Sequence, residues 1–307
     1  METQVTGGGK IRRKKGLTEA QLGRMLVTPA VLVMCAVVFF PVLATFWLSL
    51  HEYNLKYPYL GRPFIGLGNY LALLSDGRFL NSLKVTSLFT VSSVSVELIL
   101  GMAIALLINR SFKGRGVVRT AVLVPWALTT VVMARMWAWI FNSEYGIFNA
   151  ILFRLGIIDQ YVPWVADTTF ALWAAVGADI WKTTPFMALM LSAGLQTIPR
   201  ELYEASMVDG ANGWKRFWAI TIPILKPTIL VSLLFRTLDA ARVFDLIFVL
   251  TGGGPGFATE SLSVYTYRAL FVNLDFGYGS ALAVATFLFV MMISFIYIKV
   301  LGAKTER

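Results

Sequence analysis

The sequence is short of cysteine, histidine and charge. Its 307 residues include one cysteine, Cys35, which lies in an apolar run, so an internal disulfide and a cysteine metal cluster are excluded. The one histidine, His51, cannot form a zinc site or a catalytic triad alone. Charged residues make up 14% of the chain, whereas soluble domains carry roughly a quarter. A soluble domain is therefore excluded, and we expect the excess apolar length to face lipid.

Motifs for nucleotide hydrolysis and catalysis are missing as well. No G-x-x-x-x-G-K-[ST] phosphate-binding loop occurs in the sequence. The glycines of TGGGPG at 251–256 are not followed by Lys and Ser or Thr, and we interpret that stretch as a flexible external turn. No Ser-His-Asp, Cys-His or metal-ligand set can be assembled. The sequence predicts neither an ATPase nor another enzyme, and no cofactor bound by this chain.

Long apolar segments dominate what is present, since 57% of the residues are hydrophobic. A helix needs about 20 mostly apolar residues to cross a bilayer, and six segments meet that length. They are Met25–Leu50, Val85–Asn109, Thr120–Phe141, Thr168–Leu195, Ala219–Leu250 and Tyr278–Ile298. The pattern predicts an all-α, multi-pass membrane protein with six spans. We expect a basic N-terminal tail at 1–24, a membrane domain at 25–301 and a C-terminal tail at 302–307.

Basic residues predict the orientation of these spans, because Lys and Arg are retained on the cytoplasmic side. With both termini in the cytoplasm, the cytoplasmic segments carry 17 Lys and Arg, the external segments six and the spans four. The net charge of +10 is therefore mainly a topology signal. Nucleic acid is not an expected partner, whereas membrane lipid is.

A polar stretch, ELYEASMVDGANG at 201–213, separates the fourth and fifth spans. Pro199 suits the first position of a helix, and Glu201 and Glu204 complement the positive end of its dipole. Gly210 and Gly213 are places where the helix can stop. The pattern predicts a short cytoplasmic helix within 199–213. It is either a connector that lies on the membrane surface or a docking surface for a partner.

Ionisable residues inside membrane spans are costly and by default indicate function. Two sets of polar and apolar residues follow the i, i+3, i+4, i+7 spacing of one helical face. The fourth span contributes Asp179, Lys182, Thr183 and Phe186, and the fifth contributes Arg236, Asp239, Ala240 and Val243. These faces either bind a ligand or neutralise their own charges within and between helices.

Two further groups of charges allow a structural interpretation. Asp239, Arg242 and Asp245 continue a ladder of alternating sign in i+3 steps, which would neutralise itself on one helix. Glu97 and Arg135 are the single charges of the second and third spans, and we expect them to form a structural pair. No function is assigned to that pair.

The polar stretch and several span segments resemble one protein family. Glu204-Ala205-Ser206, Asp209-Gly210-Ala211 and Ile222-Pro223 are similar to the EAA signature of the permeases of ABC importers, with Ser206 in place of the third member. WKTTPF at 181–186, FRTLDAARVFD at 235–245 and LTGGGP at 250–255 resemble the branch that imports maltose, trehalose and related glycosides. The resemblance covers the chain from about Arg24 onward and implies the type I importer permease fold.

The resemblance also implies roles for these residues. The EAA segment would be the coupling helix that docks into an ATPase subunit through Glu201, Glu204, Ala205, Ser206, Asp209 and Gly210. The two charged faces would bind sugar midway across the membrane, and the glycines at 251–256 would lie near the outer gate.

The expected partners are a second, homologous permease, two ATPase subunits that bind ATP and magnesium, and an extracytoplasmic sugar-binding protein or lipoprotein. The expected location is the cell membrane of a prokaryote. The alternative function is an ion-coupled secondary sugar transporter in which the charged ladder relays ions.

Overall fold

The computed structural model describes residues 18–299, which form helices and loops without a β-strand. They divide into two units, with the boundary between Trp47 and Leu48. Residues 1–17 of the predicted N-terminal tail and the predicted C-terminal tail at 302–307 lie outside the described residues.

The first unit lies in an apolar helical run that ends at Ser49, two residues beyond the boundary. Helix α1 covers Glu19–Met34, a π-helical turn covers Cys35–Phe39, and α2 begins at Phe40 and ends at Ser49. Thr18 and Gln21 form a reciprocal capping box, in which each backbone N–H is bound by the other side chain. The helix therefore begins within the predicted N-terminal tail, residues 1–24.

The second unit contains the remaining helices of the described chain. They are α3 (Gly68–Ser75), α4 (Gly77–Asn109), α5 (Arg115–Ala127), α6 (Thr130–Ile140), α7 (Ile147–Arg154), α8 (Phe170–Leu195), α9 (Arg200–Val208), α10 (Gly213–Arg216), α11 (Ile222–Ala240), α12 (Asp245–Leu250), α13 (Leu262–Tyr267) and α14 (Phe276–Tyr297). A π-helical turn joins α10 to α11, so that residues Gly213–Ala240 form one continuous helical run.

Four helical runs among residues 18–299 are long and apolar enough to cross a membrane: Glu19–Ser49, Gly77–Asn109, Gly213–Ala240 and Phe276–Tyr297. Helices α5 and α6 add a fifth if they count as one span, although they are bent by 93° at their junction. Helix α8 has 26 residues and carries charges near its middle. The structure therefore supports four or five candidate spans, and the six-span topology stays a prediction.

The predicted third span, Thr120–Phe141, is broken rather than continuous. Pro125 lies inside α5, and Leu128 and Thr129 are extended before α6 begins. Helix α5 ends where the Leu128 backbone N–H donates to the Pro125 carbonyl at 3.4 Å, a bond to the third residue back that closes the last turn.

The predicted fifth span, Ala219–Leu250, is not one continuous helix. Helix α11 stops at Ala240, and a turn separates it from α12, which begins at Asp245. The expected ladder of Asp239, Arg242 and Asp245 is therefore wrong as a helical ladder, because Arg242 lies in the turn.

The core of the second unit is built on the close packing of α4 against α8. Gly101 of α4 makes that approach possible, because a Cβ atom at this position would lie 2.7 Å from Met187 Cγ and 3.2 Å from the Ala188 backbone nitrogen. Buried apolar residues including Phe89, Met133 and Leu191 fill the surrounding space. The α4–α8 pair is thus the frame on which the other helices pack.

Polar contacts tie the ends of α4, α13 and α14 together. Asp76 caps α4 by accepting a hydrogen bond from the Arg78 backbone N–H at 2.8 Å, and its other oxygen accepts from Tyr265 at 2.6 Å and Tyr278 at 2.5 Å. Burial favours a higher pKa for Asp76, but these hydrogen bonds outweigh it and lower the pKa below the usual value. Burial and the bond to Asp76 raise the pKa of Tyr265 to about 12.

The helix contact at Gly101 can be tested by substitution. Gly101→Ala places a methyl group against Met187, and overpacking of this kind costs about 1–3 kcal/mol. We expect the melting temperature of the purified protein to fall by several degrees. Gly177→Ala in α8 is the matched control, because a Cβ atom there has no neighbour within 4 Å and alanine favours the helix by up to about 1 kcal/mol. Equal melting temperatures for both variants would contradict the close α4–α8 contact.

Candidate functional site

A cavity of about 160 Å³ lies where α8, the end of α11 and the start of α12 meet. It collects seven of the eight residues predicted to line a binding site: Asp179, Lys182, Thr183, Arg236, Asp239, Ala240 and Val243. Thr130, Arg242, Phe244, Asp245 and Leu246 complete its lining. The two predicted helical faces therefore do face one another, and they enclose one polar space.

Phe186 is the predicted site residue that the structure does not bring into this cavity. Its ring is half-buried and stacks on Trp126 of α5, with ring centroids 6.1 Å apart and an angle of 26° between the ring planes. The prediction that Phe186 lines the same cavity is wrong for this conformation. Phe186, the i+7 member of the predicted face, therefore lies beside α5 and not beside α11.

Arg236 is the centre of the charge cluster beside the cavity. Its side chain is only 2% exposed. Glu97 of α4 pairs with it: Oε1 accepts a hydrogen bond from a terminal nitrogen at 3.0 Å, and Oε2 lies 2.5 Å from Nε without hydrogen-bond geometry. Asp179 of α8 pairs with the same terminal nitrogen, and Asp239 lies 3.1 Å from the other. One guanidinium therefore joins three helices through three carboxylates.

Thr183 adds a neutral contact to this cluster. Its hydroxyl oxygen lies 2.7 Å from Glu97 Oε1 and 2.6 Å from the Asp179 carbonyl oxygen, so its proton can be donated to either acceptor. This contact connects α8 to α4 directly and leaves Glu97 with partners from two helices.

The partners of Glu97 differ from the predicted one. Glu97 was expected to pair with Arg135, but the structure pairs it with Arg236 and Thr183, and Arg135 is exposed on α6. Glu97 is fully buried and does not line the cavity. The signal in the sequence was a single carboxylate in an otherwise uncharged span, which requires a buried partner.

The exposed members of the cavity give it its chemistry. The Asp239 side chain is 67% exposed, Lys182 is half-buried, and Arg242 and Asp245 are exposed. These groups supply both hydrogen-bond donors and acceptors around one space, which is the pattern that a ligand rich in hydroxyl groups requires. Among residues 18–299, no cluster of three or more His, Cys, Asp or Glu is arranged to hold a metal ion.

The second predicted surface is the helix of the polar stretch, α9. It begins at Arg200, so Pro199 is its N-cap rather than its first residue. The helix ends in a Schellman motif: Gly210 adopts φ +76° and donates to the Met207 carbonyl at 3.1 Å, and Ala211 donates to Ser206 at 2.9 Å. Gly210 therefore ends the helix as predicted.

Gly213 does not end a helix, contrary to the expectation. It begins α10, and the Asn212 side chain caps that helix by accepting from the Lys215 backbone N–H at 2.9 Å. Four residues, 209–212, therefore connect α9 to α10.

The α9 helix has one anchored face and one exposed face. Tyr203 fixes the anchored face to Thr221, with 2.9 Å between the hydroxyl oxygens, and Ser206 donates to the Tyr203 carbonyl at 2.8 Å. Four residues at helical spacing share the opposite face and are exposed, with Val208 at 88%: Glu201, Glu204, Ala205 and Val208. The helix thus presents a mixed acidic and apolar surface without a covering element in the described chain.

The glycine-rich stretch at 251–256 is anchored by charge. Glu260 is fully buried and binds Arg78 through two contacts of 2.6 and 2.8 Å. Arg268 lies 3.1 Å from Oε1 of Glu260, an oxygen that also accepts from Arg78. Arg268 also donates to the Gly252 carbonyl at 2.5 Å. The stretch was expected to be a flexible turn, but these contacts hold it against α4 and the segment after α13.

Comparisons with known proteins agree with this architecture. The family model described as "Binding-protein-dependent transport system inner membrane component" matches residues 97–307. The chain is 48% identical to the trehalose/maltose transport system permease protein MalF of Thermococcus litoralis, over 92% of this chain and 94% of that protein. It is 43% identical to the trehalose transport system permease protein SugA of Mycobacterium tuberculosis, over 94% and 91%.

A solved structure shares the fold. A chain of a bacterial ABC transporter involved in the import of the acidic polysaccharide alginate superposes with a TM-score of 0.80 at 22% sequence identity, over 93% of this chain and 96% of that chain. The two chains therefore share one fold.

Proposed function

The chain belongs to the family of inner-membrane components of binding-protein-dependent transport systems, and on that premise we propose that it carries a sugar into the cell as a permease subunit of an ATP-driven importer. The proposed substrate is a disaccharide such as trehalose or maltose, since its relatives at 48% and 43% identity are named for these sugars. The cavity beside Arg236 is the observation that carries the proposal.

The proposed sugar site uses the exposed groups of that cavity. Asp239 would accept hydrogen bonds from sugar hydroxyls, and Lys182 would donate them. The Thr183 hydroxyl donates to Glu97 or Asp179, so its oxygen would act toward the sugar as an acceptor. Arg236 would hold the site together, while Ala240 and Val243 would offer apolar contacts to the sugar ring. The support is the polar lining of a cavity on helices of a membrane protein, where charged groups are rare unless function retains them.

The proposed topology has six spans with both termini in the cytoplasm of a prokaryotic cell. Four of the six spans would be the four apolar runs, and helix α8 and the bent α5–α6 pair would be the other two. The support is the excess of basic residues in the segments assigned to the cytoplasm. This topology puts α9 on the cytoplasmic side and the Glu260 cluster outside.

The proposed assembly contains a second, homologous permease, two ATPase subunits and an external sugar-binding protein. ATP and magnesium would be bound by the ATPase subunits. A related alginate transporter has been crystallised with its substrate-bound periplasmic protein. For the present chain, a partner that supplies ATP hydrolysis is proposed because its sequence has no phosphate-binding loop.

Helix α9 is the proposed coupling helix. Its acidic and apolar face would dock into an ATPase subunit through Glu201, Glu204, Ala205 and Val208, and Gly210 would permit a sharp exit of the backbone. Ser206 would act from the anchored face, because its hydroxyl binds the Tyr203 carbonyl. Asp209, the C-cap residue, would lie at the edge of the contact.

An ion-coupled secondary transporter is the alternative that this proposal displaces. That function was tied to a charged ladder through Asp239, Arg242 and Asp245, but α11 ends at Ala240 and interrupts it. An exposed α9 surface also has no evident use in a transporter that works alone.

Reconstitution separates the two functions. We expect proteoliposomes with the second permease, the ATPase subunits, the binding protein and ATP to accumulate labelled trehalose or maltose. Vesicles with this chain alone should remain inactive, with and without a proton gradient. Gradient-driven uptake by the chain alone would contradict the importer proposal.

The docking role of α9 can be tested at its most exposed apolar residue. Val208→Arg introduces a long, charged side chain on the outer face, where nothing in this chain is displaced. We expect normal membrane insertion and melting temperature, with at least a tenfold loss of ATPase-subunit binding in pull-down. Val208→Leu, which keeps the apolar surface, is the control. Wild-type ATPase binding by Val208→Arg would remove this face from the interface.

The sugar role of Asp239 can be tested with an isosteric change. Asp239→Asn replaces an acceptor oxygen by a donor, and charge-assisted hydrogen bonds are worth about 1.5–3 kcal/mol. We expect the apparent affinity for sugar in uptake assays to fall about tenfold or more. The melting temperature should stay near the wild-type value, because the Asp239 side chain is 67% exposed and the buried Arg236 keeps Glu97 and Asp179 as partners.

Asp159→Asn, an exposed carboxylate outside the cavity, is the matched control and should transport normally. A purely structural role for Asp239 predicts the opposite result, with reduced yield of the complex and an unchanged affinity for sugar.

A further inference from the structure

Glu97 occupies an unusual place relative to the proposed sugar site. It is fully buried behind Arg236 and does not line the cavity. Its Oε1 accepts a hydrogen bond from a terminal nitrogen of the guanidinium at 3.0 Å, and its Oε2 lies 2.5 Å from Nε as an ion pair without hydrogen-bond geometry. Asp179 and Asp239 take the remaining positions on the terminal nitrogens. Every nitrogen of the Arg236 guanidinium is therefore occupied by a carboxylate of the protein.

That occupation decides what Arg236 can do for a ligand. A guanidinium with a free fork binds carboxylate, phosphate or sulfonate groups bidentately. Here Glu97 lies against the edge formed by Nε and one terminal nitrogen, so an anion can use that edge only by displacing Glu97. The positive charge is also offset by buried carboxylates in surroundings of low polarity, where charges interact strongly.

The charges that line the cavity are balanced as well. Asp179, Asp239 and Asp245 offset Lys182, Arg236 and Arg242. Glu97 adds one negative charge behind the residues that line the cavity. An anionic substrate would therefore meet no net positive charge in this chain, whereas a neutral sugar needs none.

We propose that Glu97 is a positioning residue that sets the charge selectivity of the site, so that it accepts uncharged sugars and rejects sugars that carry phosphate, sulfonate or carboxylate. The inference rests on the proposed sugar site beside Arg236. Glu97 acts through Arg236, by filling the edge that would otherwise receive the anion and by offsetting its charge.

The test is direct sugar binding to the assembled complex in lipid nanodiscs, without the external binding protein, whose own selectivity would otherwise dominate. Trehalose and trehalose 6-phosphate share one skeleton and differ in charge. Glu97→Gln keeps the shape of residue 97 but removes its charge and turns one acceptor into a donor. We expect the ratio of the two dissociation constants to shift toward the phosphorylated sugar by about tenfold or more.

Two variants control for charge and for packing. Glu97→Asp keeps the negative charge and should keep the wild-type selectivity ratio, although a shorter side chain strains the cluster. The double variant Glu97→Gln with Arg236→Gln removes both charges together. In this variant the ratio of the two dissociation constants should no longer be shifted toward the phosphorylated sugar. If Glu97→Gln does not assemble, Asp179→Asn removes the other buried carboxylate from the same guanidinium, with the same expected direction.

A merely structural Glu97 would give a different result. It predicts that both sugars bind more weakly by the same factor, so that their ratio stays unchanged, and this outcome would overturn the proposal. Failure of the proposed function is recognised separately, because the wild-type complex would then show no saturable binding of trehalose.

Discussion

Burial of the Arg236 guanidinium is the constraint on which the centre of this protein depends. An ion removed from water without partners costs several kcal/mol, and Arg236 is 2% exposed. Its partners come from α4, α8 and the end of α11, so these three helices have to meet at one level. The same meeting point leaves Asp239 facing open space. A structural requirement and a binding cavity therefore arise from one cluster.

The packing around the cluster connects this cavity to the surface of α9. Gly101 lets α4 approach α8 closely, which brings Glu97 within reach of Thr183. From the other direction, the run Gly213–Ala240 is one helical element of 28 residues, about 42 Å long at 1.5 Å per residue. The hydroxyl contact between Tyr203 and Thr221 fixes α9 to that element. Helix α9 is thus joined through Thr221 to the helical run that ends beside Arg236.

Helical periodicity was enough to predict much of this site. The spacing of Asp179, Lys182 and Thr183 gave the correct face of α8, and Gly210 gave the correct end of α9. Both features depend on residues close in sequence, where the geometry of one helix decides the outcome. The topology count and the role of each cavity residue remain predictions.

Features that depend on distant residues were not predictable in the same way. Glu97 and Arg236 are 139 positions apart, and periodicity does not say which helix faces which. Phe186 obeys the spacing of its face but packs on Trp126, because α5 covers that end of α8. The end of α11 at Ala240 had no proline or glycine to mark it in the sequence.

The most direct test of this account is a structure of the assembled complex with trehalose bound. We expect sugar density within hydrogen-bond distance of Asp239, with Arg236 still paired with Glu97. Sugar density elsewhere, with the cavity beside Arg236 closed by packed side chains, would contradict it.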